Sequence, residues 1–176
     1  MVDEPVALLD TEGQVVGQAP RSLVRRDNLR HGATAVLVRN SQGQIYVHLR
    51  SALKDWAPSH HDAAAGGILR PGEDPAKSAL RELAEELGVE GVSLRPLGLS
   101  SYDDDTTKVV EHVFETTWDG PIVFNDGEVQ SGEWLGLGEL AVRLADPQWL
   151  FVPDTRALLE GLAACGLADY SQLRRS

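Results

Sequence analysis

The chain has 176 residues, with 16 Lys+Arg against 27 Asp+Glu and a formal net charge of −11. That excess disfavours a nucleic-acid polymer as partner, because the long-range field repels phosphates. A 42% hydrophobic and 24% charged composition suits one ordinary domain over residues 1–176 with a real core, and argues against disorder.

Cys165 is the one cysteine, so no intrachain disulfide is expected and a reducing compartment is the natural assignment. The opening residues Met1-Val-Asp-Glu-Pro5 are acidic where a secretory signal would be basic. No apolar run approaches the roughly 20 residues that span a bilayer. The expectation is a cytoplasmic protein with no membrane partner, monomeric or homodimeric.

In chain order, Val6–Leu9 and Val15–Val16 flank Glu12-Gly13 and predict a hairpin, followed by a short helix at 21–26, so that 1–30 forms an N-terminal hairpin and helix. Ala33–Val38 reads as a buried strand. After the turn Asn40-Ser-Gln-Gly43, Ile45–Arg50 alternates as a strand, with His48 and Arg50 on one face. Residues 51–61 form a loop and Ala63–Leu69 a small-residue strand. Asp74 as N-cap, Pro75 in the first turn and Gly88 as stop frame a helix. Strands are expected near 93–99, 109–118, 122–124 and 132–135, helices near 139–144 and 155–164, and a frayed tail at 166–176. The pattern predicts an α/β (α+β) sandwich, a mixed β-sheet flanked by helices.

The framed helix carries the chemistry. At about 100° per residue, Ala76, Ala79, Leu80, Leu83 and Leu87 make one apolar stripe, and Glu82, Glu85 and Glu86 crowd a neighbouring arc. Like charges at these spacings cost a few tenths of a kcal/mol per pair, roughly, and a hard divalent ion removes that conflict. A Glu-rich face is more commonly just solvated, so the three acids alone do not identify a metal site.

The wider spacing adds a resemblance to a known family. From Gly67 to Val89 the chain resembles the signature of the Nudix hydrolases, G-x5-E-x7-R-E-U-x-E-E-x-G-U with U aliphatic. Gly67, Glu73, Arg81, Glu82, Leu83, Glu85, Glu86, Gly88 and Val89 fill every fixed position. The resemblance implies a Nudix-type α/β/α sandwich with the box as a loop and helix over 67–89. It implies Mg²⁺ or Mn²⁺ as cofactor, held by Glu82, Glu85, Glu86 and the Gly67 carbonyl. Glu73 and Arg81 are implied as the ion pair that orients those acids. The reaction implied is hydrolysis of a diphosphate linkage in a nucleoside diphosphate derivative or similar small organic diphosphate. The base is a helix glutamate, Glu82 foremost, or a later carboxylate, Glu111 before Glu115.

Beyond the box, Arg50, Lys54, Trp56-Ala57-Pro58 and Asp62-Ala-Ala-Ala-Gly-Gly67 resemble isopentenyl-diphosphate isomerase and the hydrolases like it. That likeness implies Arg50 and Lys54 as substrate contacts. Ala65 stands at the isomerases' cysteine, Gly67 at their histidine and Val113 at their catalytic glutamate, which favours hydrolysis over isomerisation. A ligand-sensing domain without catalysis is the third alternative. His60-His61-Asp62 lacks the usual metal spacing, Asp103–Asp105 reads as a solvated loop, Trp56 and Tyr102 are candidates for stacking, and Cys165 is expected to be buried.

Overall fold

In a computed structural model, residues 3–174 are described, and they form a curved mixed sheet with helices on both sides. β1 (Pro5–Leu9) and β2 (Val15–Pro20) make the expected hairpin, whose turn is closed by Asp10 Oδ1 accepting from the amides of Glu12 and Gln14, each at 2.9 Å. α1 (Arg21–Asp27) follows and ends at Asn28, which adopts a left-handed conformation. Leu8 of β1 pairs with His31 of β3 (Arg30–Arg39), so the hairpin packs on its own sheet. β3 runs parallel to β8 (Lys108–Thr117) over ten residue pairs, from Arg30↔Lys108 to Arg39↔Thr117. That pairing is the centre of the fold.

β4 (Ile45–Arg50) pairs antiparallel with β9 (Val129–Leu135), and β7 (Arg95–Asp103) pairs antiparallel with β8. β5 (His61–Asp62) precedes the strand expected over Ala63–Leu69, of which β6 (Ala64–Ala65) is the regular part. The segment keeps one antiparallel register along β3 from Leu37↔Ala64 to Ala33↔Ile68, and at Gly66 it runs so close that a Cβ there would lie 1.8 Å from the Thr34 carbonyl oxygen. Residues 122–124 are not a strand. Val123 donates to the Leu87 carbonyl at 3.0 Å, tying this segment to the end of the helix that bears the glutamates rather than to a sheet edge.

The period of two along β3 builds two cores. Val36 and Val38 face α2 (Pro75–Leu87), which buries Ala79, Leu83 and Leu87 against them. Ala35 and Leu37 face α3 (Leu137–Leu144) and α4 (Pro153–Ala164), meeting Leu140, Leu158 and Leu159. Leu80, assigned from the sequence to the apolar stripe, is 38% exposed at its edge. Cys165 is exposed as well, lying just past α4 rather than within its buried face.

The tail departs from expectation. Residues 168–173 form a 3-10 turn, and Tyr170 is fully buried in the α3/α4 core. Its hydroxyl donates to Glu115 Oε2 at 2.6 Å, while Arg39 binds Asp169 at 2.7 Å. Residues 175–176 lie outside the described residues. Among the described residues, no helix is long and apolar enough to cross a membrane.

Candidate active site

The local sequence builds the α2 loop as expected. Asp74 accepts from the Lys77 amide at 3.0 Å, Pro75 occupies the first turn, and Gly88 adopts the left-handed conformation with φ 65°. Glu82, Glu85 and Glu86 then fall on the flank of α2 nearest Gly66 and Gly67. A Cβ at Gly67 would lie 2.5 Å from the Glu82 carboxyl carbon, so only glycine lets that carboxylate lie flat on the loop backbone. The Gly67 carbonyl accepts from the Thr34 amide at 2.9 Å, which leaves one lone pair for a ligand.

Arg81 gathers the acids. It binds Glu73 Oε1 through Nη2 at 3.1 Å and through Nε at 3.2 Å, and its Nη1 reaches Glu82 Oε1 at 2.7 Å and Glu85 Oε2 at 3.2 Å. The expected Glu73–Arg81 tie is therefore present in the structure, and Arg81 also touches two of the candidate metal ligands. Glu86 is different, being 2% exposed. Its Oε2 accepts from the Gly66 amide at 3.1 Å and its Oε1 from Lys54 at 3.2 Å. Burial still pushes its carboxyl up to about 7, against the pull of Lys54. Burial also raises Glu82, opposed by Arg81.

Lys54 and Arg50 both line the same cleft, a cavity of about 230 Å³ between α2, the sheet and the start of α4. Lys54 binds Glu86 and Glu128, and these acids keep its pKa raised although burial opposes its charge. Arg50 donates to the Trp56 carbonyl at 2.9 Å and the Ala57 carbonyl at 3.1 Å, and stands 3.5 Å from Asp62. It braces the 51–60 loop as well as walling the cleft. Trp56 lines the cleft and donates to Thr106 at 3.1 Å. Tyr102 hydrogen-bonds Asp104, and His61 stacks on Trp149 with ring centres 4.6 Å apart.

Glu111 also lines the cleft, but in separate company. It is 6% exposed, its Oε2 has no hydrogen-bond partner among the described residues, and burial together with Asp154 and Asp62 holds its carboxyl well above the usual range. Asp154 is itself pushed up to about 7 by burial and by Asp62. Glu115, the other late candidate, is engaged by Tyr170 and Arg95 and does not line the cleft. Sequence reading missed Glu128, Asp154, Arg21 and Arg25, all of which line it. Only Asp154, beside Pro153 at a helix start, left a local trace, and that trace reads as a cap.

A hard divalent ion fits the donor chemistry here. Glu82, Glu85 and Glu86 supply carboxylate oxygens beside the Gly67 carbonyl, and a buried carboxyl held near neutral titration is one that a cation would ionise. Among the described residues, no three acids or histidines are already gathered as a metal cage. Arg81 Nη1 occupies one oxygen of Glu82 and one of Glu85, which leaves the second oxygen of each for an ion.

A match to the NUDIX domain family covers residues 29–155. A Nudix hydrolase of Rhodococcus erythropolis, orf19, is 40% identical over 167 residues, spanning 89% of this chain and 90% of that protein. The Nudix hydrolase YfcD of Escherichia coli K12 is 34% identical over 152 residues, with 86% and 82% covered. DR0079 of Deinococcus radiodurans superposes with a TM-score of 0.76 at 32% identity, covering 92% of this chain and 99% of its own. The NUDIX domain of Shewanella oneidensis NrtR, solved with ADP ribose, shares the fold at 16% identity and a TM-score of 0.60, covering 78% of this chain and 88% of its own. With the motif complete, folded as a loop and helix against a charged cleft, the chain belongs to the NUDIX domain family and is a Nudix hydrolase, a pyrophosphohydrolase.

Proposed function

We propose that the protein is a Mg²⁺- or Mn²⁺-dependent hydrolase of small organic diphosphates, nucleoside diphosphate derivatives among them. One observation carries this reading: Glu82 lies against Gly67 at the wall of a cleft that Glu85, Lys54, Arg50 and Arg81 also line, with the buried Glu86 held behind it by Gly66 and Lys54. Glu82, Glu85, Glu86 and the Gly67 carbonyl would hold the ion. Bound there, it offsets charge on the diphosphate oxygens and lowers the pKa of a bound water.

The chain's own residues do the rest. Lys54 and Arg50 draw the diphosphate into a cleft lined by charges of both signs. Arg81, anchored by Glu73, sets the rotamers of Glu82 and Glu85. Glu82, flat against Gly67 and facing the cleft, accepts the proton of the attacking water. Glu111 is the weaker choice of base, because it stands with Asp154 and Asp62 rather than with Glu82, Glu85 and Glu86, and burial raises its carboxyl well above the usual range.

Isomerisation is disfavoured further by packing. Ala65, at the isomerases' cysteine position, is buried in the core beneath α2 with no reactive group. The isomerase-like flanking residues therefore support a hydrolase of that branch.

The test is a panel of diphosphates, ADP ribose included, assayed for released monophosphate with and without Mg²⁺ or Mn²⁺. Metal-dependent release that falls at least about 100-fold in Glu86→Gln is the expected outcome. Unaltered turnover by that variant, or tight binding with no release from any member, would overturn it, the second in favour of a sensor.

A further inference from the structure

The cleft has a second wall that the hydrolytic chemistry leaves unused. Glu111 comes from β8, Asp62 from β5, and Asp154 from the start of α4, and all three carboxyls line the cavity. Asp62 is satisfied by the chain, accepting from Thr155 Oγ1 at 2.8 Å and the Ala64 amide at 3.0 Å. Asp154 Oδ1 accepts the Thr155 amide at 2.7 Å. Glu111 Oε2 is buried and has no hydrogen-bond partner among the described residues.

Orphaned buried carboxyl oxygens are rare because each costs its full desolvation. Three carboxyls here face one guanidinium, Arg50, which stands nearest Asp62 and spends two donors on the carbonyls of Trp56 and Ala57. Among the described residues no donor reaches Glu111 Oε2, and three carboxyls share this one cation, so a ligand that brings donors and positive charge would complete the wall, ionising Glu111 and Asp154 as it binds. A metal ion is the weaker match, since these acids are not gathered as a cage. A hydroxyl brings one donor and no charge. A primary ammonium brings three donors and a unit charge on one small group.

We propose that Glu111, Asp154 and Asp62 form a subsite for the group attached to the diphosphate, and that it takes a protonated primary amine. The inference rests on the diphosphate-hydrolase reading, which puts the phosphates at Lys54 and α2 and leaves this wall for the other end of the substrate. Such a substrate is anionic at one end and cationic at the other, matching a cleft whose charged side chains are of both signs.

The test uses two probes whose P–C–P bridge resists hydrolysis, aminoethyl methylenediphosphonate and hydroxyethyl methylenediphosphonate. Each is titrated calorimetrically into the Mg²⁺-loaded protein near neutral pH. The wild type should bind the amine at least about tenfold more tightly, and the preference should fall to within about twofold in Glu111→Gln and in Asp154→Asn. Glu111→Gln keeps the shape of a protonated carboxyl, and Asp154→Asn keeps the oxygen that accepts the Thr155 amide, so each variant checks the other for folding. Equal binding of the probes by the wild type, or a preference that survives both substitutions, overturns the subsite while leaving the hydrolase reading standing. Binding of neither probe overturns the subsite, and the hydrolysis panel decides the hydrolase reading. Failure of the hydrolysis panel together with a clear amine preference overturns the hydrolase reading alone.

Discussion

Gly66 and Gly67 are neighbours in sequence and obey different physics. At Gly66 an added methyl meets backbone, the Thr34 carbonyl oxygen at 1.8 Å, and neither strand can retreat without breaking the sheet. Gly66→Ala should therefore destabilise the fold by about 3 kcal/mol or more, read by urea unfolding. At Gly67 the added methyl meets only the movable end of Glu82. Gly67→Ala should keep most of its stability and lose turnover by about 10- to 100-fold, because Glu82 is pushed from its seat. Equal loss of stability in both would show that the Glu82 contact is not the constraint at Gly67.

The elements show where sequence reasoning succeeds and where it stops. α2 is legible because cap, proline, apolar period and terminal glycine are all local signals, and its Glu82, Glu85, Glu86 and Arg81 arrive on the expected flank. β3 and β4 are legible for the same reason. The 63–69 segment is legible as chain that pairs along β3, but its small residues do not reveal how near it passes, which only the Thr34 carbonyl at Gly66 shows. The tail was misjudged because one aromatic in a polar stretch has no period. Tyr170 nevertheless fills the α3/α4 core and ties Glu115 and Arg39 to the 3-10 turn. Tyr170→Ala should cost about 3–5 kcal/mol. Tyr170→Phe, which removes only the hydroxyl, should cost about 1 kcal/mol. A thermal melt that is unchanged for Tyr170→Ala would restore the frayed tail.

At the scale of the molecule, the acidic count separates into solvated residues and carboxyls held in the cleft against their preference. Asp154 ordinarily titrates near 3.8 and is raised to about 7 in the fold, by burial first and Asp62 next. Between those values the folded chain keeps a proton that the unfolded chain has lost. The stability it contributes is thus complete below about pH 4 and is lost as pH rises towards about 7. Glu111 is raised as well and acts with the same sign. Asp154→Asn cannot ionise, so it should be more stable than the parent by about 1–3 kcal/mol near pH 8, and the gap should close near pH 4. Urea unfolding at the two pH values checks this, and a gap that widens on acidification would show Asp154 to be ionised and paired in the native state.

The sequence alone carries the Nudix signature, because a capped helix with its glutamates is a run of local spacings. It also determined the layered fold, through strand and helix periods. Only the tertiary structure decided what surrounds that helix. Lys54 reaches Glu86 across 32 positions, and Asp62, Glu111 and Asp154 meet from three separate elements, so no window of sequence contains either arrangement. Burial is likewise a property of the assembled chain, and it is what turns ordinary carboxylates into groups that retain a proton near neutrality.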